Sequence, residues 1–241
     1  MTKEPRAGQV KTRLIPPLTL EEAAALNICF LRDITAMIAR TAAEESVRGV
    51  AIYTPAGAES AYIDILPPGF HLIPQRGERL GERLIFALED LFQLGFKAAC
   101  LINSDSPTVP PQTFARAAAI LAQSEDTIVL GPTEDGGYYL IGVKRLHRAL
   151  FEDISWSTDC VLEQTIARAE QMNVKVHLLP TWYDVDDRVT LQRLCTEFFN
   201  PAGSAAVGYP APATRDYLEG LLHRKGRTYI WPENAKNRRR F

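Results

Sequence analysis

Short apolar runs alternate with amphipathic segments along most of this chain, and this alternation constrains its fold more than any other feature. Apolar runs typical of strands occur at 47–53, 70–73, 97–102, 127–130, 138–143 and 174–179. Helical spacing of apolar residues predicts helices over 19–40, 82–94, 111–123, 158–172 and 187–199. Such alternation is typical of an α/β protein whose helices cover both faces of a mixed, mostly parallel sheet. We therefore predict a three-layer α/β/α fold with ligands at the strand ends.

The composition changes near residue 200, where Asn200, Pro201 and Gly203 interrupt the helical pattern. We predict one domain over 1–199 and a C-terminal appendage over 200–241 that carries one short helix and a basic tail. The last 18 residues contain seven Lys and Arg against one Glu. A terminal run of charge like this one is usually solvated.

Charge and composition argue against several classes of protein. The chain has 27 Lys and Arg against 29 Asp and Glu, which disfavours a general nucleic-acid or membrane-surface binder and favours small-molecule partners. No run approaches the ~18 apolar residues of a membrane span, and the N-terminus lacks a signal-peptide pattern. The four Cys and four His show no metal-ligand or catalytic-triad spacing. We therefore expect a cytoplasmic protein without zinc or disulfides.

A polar loop with several cations precedes the first predicted helix and contains Gly8, Lys11 and Arg13. Glycine lets backbone amides approach a phosphate, and Lys and Arg neutralise its charge. The loop is not a P-loop, because Val10 stands where that motif requires a second glycine. It is either a phosphate-binding segment or a solvated basic loop.

Acidic residues follow two of the predicted strands. Asp105 comes directly after the third strand, and Asp184 and Asp186 come after the last one. If these strand ends are neighbours, the carboxylates can share Mg²⁺ or Mn²⁺ against a diphosphate. The alternative is local: Asp105 forms an Asx turn, and Asp186 or Asp187 caps the next helix.

A Glu134-Asp135-Gly136-Gly137 segment separates two predicted strands. By default it is a hairpin turn selected by Asp-Gly. Its functional interpretation is an acidic loop over the acceptor, where a carboxylate acts as a base and backbone amides contact the substrate. Trp156 lies in a segment typical of a helix N-cap, and it either packs in the core or stacks on a sugar or base.

Six motifs occur in order: Gly-x-x-Lys-Thr-Arg-Leu, Leu-Gly-x-Arg, Ser-Asp-Ser-Pro, Glu-Asp-Gly-Gly-Tyr-Tyr-Leu-Ile-Gly, Trp-Ser-Thr and Asp-Val-Asp. Over about residues 3–199 the chain thereby resembles a bacterial family of nucleotide-diphospho-sugar transferases, glycosyltransferases of the GT-A fold. It is more distantly similar to 2-phospho-L-lactate guanylyltransferase and to the molybdenum-cofactor nucleotidyltransferases. Members of the family begin with an apolar strand that leads into the basic loop, whereas this chain opens at Met1-Thr2-Lys3-Glu4-Pro5. We therefore expect the first strand to be missing or truncated.

The resemblance also implies roles for particular residues. Nucleotide binding would involve Gly8, Lys11, Arg13, Gln75, Gly81 and Arg83, with Lys11 and Arg13 at the phosphates. Asp105 with Asp184 or Asp186 would hold Mg²⁺ or Mn²⁺, and Asp135, Gly136 and Gly137 would lie on the acceptor side. Asn103 stands where the family more often has glycine.

These observations predict a metal-dependent glycosyltransferase that moves a sugar from a nucleotide-diphospho-sugar to a small hydroxyl acceptor, with Asp135 or Glu134 as the base. The alternative is a guanylyl- or cytidylyltransferase that uses an NTP and a phosphorylated acceptor, which needs no base because the attacking phosphate is already ionised. Acidic and aromatic residues on the acceptor side favour the glycosyltransferase. A third alternative is a non-catalytic nucleotide- or RNA-binding module that uses the basic tail.

Overall fold

The computed structural model describes residues 1–44, 47–199 and 208–232. Within these residues the strands are β1 (Thr2–Lys3), β2 (Val50–Thr54), β3 (His71–Pro74), β4 (Ala99–Ile102), β5 (Thr127–Pro132), β6 (Tyr138–Val143) and β7 (Lys175–Leu178). The α-helices are α1 (Leu20–Glu44), α2 (Leu80–Gln93), α3 (Gln112–Leu121), α4 (Val161–Gln171), α5 (Arg188–Phe199) and α6 (Pro212–Lys225). The predicted alternation of strands and helices is confirmed.

The strands form two sheets. The first sheet has the strand order β1-β2-β3, and all its strands are parallel. The second sheet has the strand order β4-β6-β5-β7, and its strand β6 runs antiparallel to β4 and β5. The Met1 ammonium group donates a hydrogen bond to the Ile102 carbonyl at 2.7 Å. The first residues of the chain therefore lie between β2 and the C-terminal end of β4.

The first strand has only two residues. β1 pairs with Tyr53 and Thr54 at the end of β2. An apolar cavity of about 1000 Å³ is lined by residues of both β2 and β4, among them Ile52 and Leu101.

Alternate side chains of the second sheet face two separate layers of helices. Ile128, Leu130 and Ile141 pack in one buried cluster with residues of α2. Val129 and Leu140 point the other way and pack in a second cluster with residues of α1 and α3. Both faces of this sheet are therefore covered, as the three-layer prediction requires.

Several elements begin later than the sequence predicts. β2 begins at Val50 rather than at 47, because the ladder to β3 starts with the pair Val50 and His71. The Phe70 ring lies across Gly49, whose carbonyl accepts a hydrogen bond from the His71 amide at 3.2 Å. Strand ends are thus set by pairing with a partner strand, which local hydrophobicity does not encode.

The residues after 208 pack against α1. The Asp33 carboxylate on α1 accepts hydrogen bonds from the backbone amides of Ala213 and Thr214, at 3.0 and 2.8 Å, and so caps the start of α6. Leu218 and Leu221 of α6 are fully buried. The division at residue 200 stays a prediction, and the basic residues at 236–240 lie outside the described residues. None of the described helices combines the length and apolar character that a membrane crossing needs.

Candidate active site

A cleft of about 840 Å³ collects residues from most of the segments that the sequence singles out. Its lining includes Lys11, Arg13, Gln75, Arg83, Asp105, Asp135, Gly137, Trp156, Asp184 and Asp186. Four other candidates, Gly8, Gly81, Glu134 and Gly136, are not part of that lining. The structure therefore brings both acidic segments, the basic loop and the Asp-Gly-Gly turn to one place.

Lys11 lies in the wall of this cleft, between two carboxylates. Its Nζ atom is 2.5 Å from Asp105 Oδ1 and 2.9 Å from Asp186 Oδ1, and it donates to the Val185 carbonyl at 2.9 Å. Only 5% of the side chain is exposed. Burial alone lowers the pKa of the Lys11 ammonium, but the charges of Asp105 and Asp186 outweigh it and hold this pKa above its usual value.

The two acidic segments do not follow neighbouring strands, so that part of the sequence interpretation is wrong. β4 and β7 are separated in the sheet by β6 and β5. The chain after β7 crosses the strand ends instead: the Trp182 amide bonds to the Pro132 carbonyl at 3.0 Å, and the Val185 amide bonds to the Asp105 carbonyl at 2.8 Å. This crossing segment carries Asp184 and Asp186 to Asp105.

The local alternatives for the acidic residues are resolved by their hydrogen bonds. The Asx turn belongs to Asn103, whose Oδ1 accepts from the Asp105 amide at 3.2 Å, and the Asp105 carboxylate is left to face Lys11. The helix cap is Asp187, whose Oδ1 accepts from the Thr190 amide at 2.9 Å. Asp186 is thereby left for the cleft.

Asp184 is a further carboxylate of the cleft lining, and it is strongly affected by burial. Burial raises its pKa from 3.8 to about 6, with the negative charge of Asp105 adding to the rise. Its Oδ1 accepts from Asn103 Nδ2 at 3.1 Å and from the Ser106 hydroxyl. The polar residues on both sides of Asp105 therefore hold Asp184 in place, a role that the sequence reasoning missed although these residues adjoin Asp105.

The oxygen atoms of Asp105 and Asp186 lie within hydrogen-bonding distance of one nitrogen, so the two carboxylates are within reach of a single cation. Carboxylate oxygens are also the ligand atoms that Mg²⁺ and Mn²⁺ prefer. Within the described part of the chain, no three His, Cys, Asp or Glu side chains are grouped so as to hold a metal ion. The position between the two carboxylates is taken by the Lys11 ammonium.

The nucleotide-side candidates play different parts. Gln75 and Arg83 line the cleft, and Arg83 Nε also donates to the Gly77 carbonyl at 3.3 Å. Gly81 lies behind the cleft wall, where a Cβ atom would stand 2.8 Å from the Phe151 carbonyl and 3.1 Å from Trp156 Nε1. Gly81 therefore lets the start of α2 pack closely against Trp156, which is half-buried and lines the cleft.

In the segment predicted for the acceptor side, the hairpin prediction is confirmed, because β5 and β6 pair antiparallel on either side of the turn. Asp135 Oδ1 accepts from the Thr133 hydroxyl at 2.6 Å and from the Gly137 amide at 3.2 Å. Gly136 has φ +86 and its Cα lies against the Asp159 backbone, which leaves no room for a side chain. Of the two candidate bases, only Asp135 lines the cleft.

Glu134 points elsewhere. Its Oε2 lies 2.6 Å from Arg193 Nη1 on α5, and the residue is not part of the cleft lining. The pairing predicts a role in fastening the turn to α5.

Asn27 is a cleft residue that the sequence analysis did not single out. It lies on α1, only 5% of it is exposed, and its Oδ1 has no hydrogen-bond partner among the described residues. A polar residue in the apolar stripe of the first predicted helix is the signal that marks it in the sequence.

Comparison with solved structures places this architecture in a class. The chain is similar to a protein of Desulfovibrio desulfuricans G20 whose structure was solved as that of a candidate nucleotide-diphospho-sugar transferase, with 28% identity, a TM-score of 0.78, and coverage of 93% of this chain and 94% of that one. The molecule is therefore an α/β protein with the nucleotide-diphospho-sugar transferase fold, and the resemblance inferred from its motifs is confirmed.

The chain belongs to the family described as uncharacterized protein conserved in bacteria (DUF2064), whose profile matches residues 37–158. A cytidylyltransferase from Leptospira borgpetersenii serovar Hardjo-bovis (strain JB197) is similar over 97% of this chain and 95% of that one, with 12% identity and a TM-score of 0.46. That similarity is too low to assign a function. No curated protein matches the chain.

Proposed function

We propose that this protein is a glycosyltransferase that takes a nucleotide-diphospho-sugar as donor and transfers the sugar to a hydroxyl group of a small acceptor. The observation that carries the proposal is the meeting of Lys11 with Asp105 and Asp186 in a cleft that Arg13 also lines. Cations and carboxylates side by side suit a diphosphate together with its counter-ion.

On the donor side, Arg13 offers a planar fork of N–H donors that suits two phosphate oxygens. Gln75 and Arg83 lie on the cleft wall at the end of β3 and the start of α2, where they suit a nucleoside. Asp105 and Asp186, with Asp184 beside them, would hold Mg²⁺ or Mn²⁺. A divalent ion there would neutralise the charge of the departing diphosphate.

On the acceptor side, Asp135 is the base that we propose. It lines the cleft, and only its Oδ1 is held by the turn, by Thr133 and Gly137. A carboxylate in this position can accept the proton of an attacking hydroxyl. Trp156 presents an aromatic surface to the same cleft, which suits the apolar face of a sugar ring.

The proposal is tested by a thermal-shift screen of UDP-, GDP-, ADP- and CDP-sugars against GTP and CTP, each with and without Mn²⁺. A ligand that binds only the native state raises the melting temperature. We expect a nucleotide-diphospho-sugar to give the largest shift, and the same compound to release its nucleoside diphosphate when acceptors are added.

Two outcomes would contradict the glycosyltransferase. Preference for an NTP, with release of pyrophosphate, would assign the protein to the nucleotidyltransferases. Salt-sensitive RNA binding without consumption of any nucleotide would exclude both enzymes.

A further inference from the structure

We infer that the Lys11 ammonium group serves as an internal cation for the carboxylate pair formed by Asp105 and Asp186. A divalent metal ion must displace this ammonium group before it can bind to the pair. The inference rests on the proposed function for the identity of the metal. It concerns a step that precedes any sugar transfer.

The Lys11 ammonium group is surrounded by oxygen atoms of its own protein. An ammonium group has three N–H donors, and Lys11 Nζ faces three oxygen atoms, those of Asp105, Asp186 and Val185. It donates hydrogen bonds to Val185 and Asp186 and is ion-paired with Asp105. Binding of Lys11 to a phosphate therefore competes with these three contacts.

Competition with a metal ion follows from the same contacts. A divalent ion held by both carboxylates would need the space between Asp105 and Asp186 that the Lys11 ammonium group now fills. Two cations at one pair of carboxylates repel each other.

The backbone of Lys11 is suited to such a displacement. Its φ is +49, a left-handed conformation that non-glycine residues adopt rarely and that contacts must maintain. The ion pairs with Asp105 and Asp186 are the contacts that hold this side chain inward. Their loss frees a four-carbon side chain to move to another position in the cleft.

A second, independent feature of the cleft supports the displacement. Asn27 Oδ1 is buried in the cleft wall without a hydrogen-bond partner among the described residues. Phe30, one turn further along α1, already lies beneath Lys11, with its ring centre 5.3 Å from Nζ. The wall next to Lys11 thus provides an unused acceptor for the displaced ammonium group.

The first test measures Mn²⁺ binding by electron paramagnetic resonance, with no nucleotide present. We expect Lys11→Met to bind Mn²⁺ about tenfold more tightly than the wild type, because the competing cation is gone. Lys3→Met is the matched control: Lys3 also lines the cleft, but its Nζ bonds to Gln9, outside the carboxylate pair. Equal or weaker Mn²⁺ binding by Lys11→Met, or no Mn²⁺ binding by either protein, would overturn the inference.

The second test uses the wild-type protein and therefore does not depend on how the variant folds. Lysine acetylation is mapped by mass spectrometry without metal and at saturating Mg²⁺. We expect Lys11 to be protected without metal and to become reactive with Mg²⁺, while Lys3 stays equally reactive. Continued protection of Lys11 would show that Mg²⁺ leaves the ion pairs in place and would refute displacement. Neither test involves sugar transfer, so a failure of the proposed function is distinguished from a failure of this inference.

Discussion

The backbone amide of Val185 donates a hydrogen bond to the carbonyl oxygen of Asp105 at 2.8 Å. This bond fastens the end of β4 to a segment 80 residues away in sequence, although β4 and β7 lie at opposite edges of their sheet. The carboxylates of Asp105 and Asp186 meet Lys11 because of this crossing. The acidic site is thus built by a loop that runs over the strand ends.

Replacement of Asp105 tests the carboxylate pair. Asp105→Asn leaves Lys11 buried with one carboxylate, so we expect turnover to be lost and stability to fall by about 1–3 kcal/mol. Sugar-nucleotide turnover and urea denaturation check the two effects. Asp64→Asn, at an exposed position, is the matched control. Normal turnover in Asp105→Asn would remove this residue from the site.

Arg13 is expected to contribute to donor binding without holding the fold. Arg13→Ala should weaken binding of the nucleoside diphosphate by about 1.5–3 kcal/mol, the usual size of a charged hydrogen bond. Titration calorimetry measures this loss. The exposed Arg6, which pairs with Glu4 outside the cleft, supplies the control variant Arg6→Ala. Equal affinity of the two variants would place the phosphates elsewhere.

Variants of Asp135 and Glu134, the two acidic residues of the β5–β6 turn, test which of them acts as the base. Asp135→Asn should lower the turnover rate by about 10²–10⁴, because it removes a general base. Glu134→Gln should retain turnover, since Glu134 pairs with Arg193 outside the cleft. Steady-state kinetics with varied acceptor decides: a rise in KM alone for Asp135→Asn would favour a phosphorylated acceptor and nucleotidyl transfer.

Asp184 makes stability depend on pH in an unusual direction. Its pKa rises from 3.8 to about 6 on folding, chiefly through burial, so the folded state binds this proton more tightly than the unfolded state does. The cost of ionising it is absent below pH 3.8, develops between pH 3.8 and about 6, and is complete above that value. Asp184→Asn should therefore be about 1–3 kcal/mol more stable than the wild type at pH 8, but not at pH 4.

Urea denaturation at both pH values, with a chelator present, measures this difference. Asp187→Asn is the control of opposite sign, because the hydrogen bond from the Thr190 amide holds the pKa of Asp187 below its usual value. That variant should lose stability at pH 8. An Asp184→Asn variant that is no more stable than the wild type at pH 8 would contradict the assignment of burial as the cause.

Periodicity in the sequence was sufficient for the kind and order of the elements. The strand predicted at 138–143 is β6 with the same bounds, and the helix predicted at 187–199 is α5 from Arg188. The side-chain spacing of a strand or helix is a local property, so a single chain records it. The basic loop, the two acidic segments and the Asp-Gly turn were also visible as local residue patterns.

Pairings between distant residues were decided only in the tertiary structure. Local patterns suggested that the acidic segments follow neighbouring strands, and they left open whether Asp186 or Asp187 caps α5. They did not show that Glu134 faces Arg193, or that Lys11 is buried between two carboxylates. Each of these outcomes depends on the final position of a backbone amide or charged group that is distant in sequence. No periodic pattern along the chain encodes that position, because packing of whole helices and strands brings the partners together.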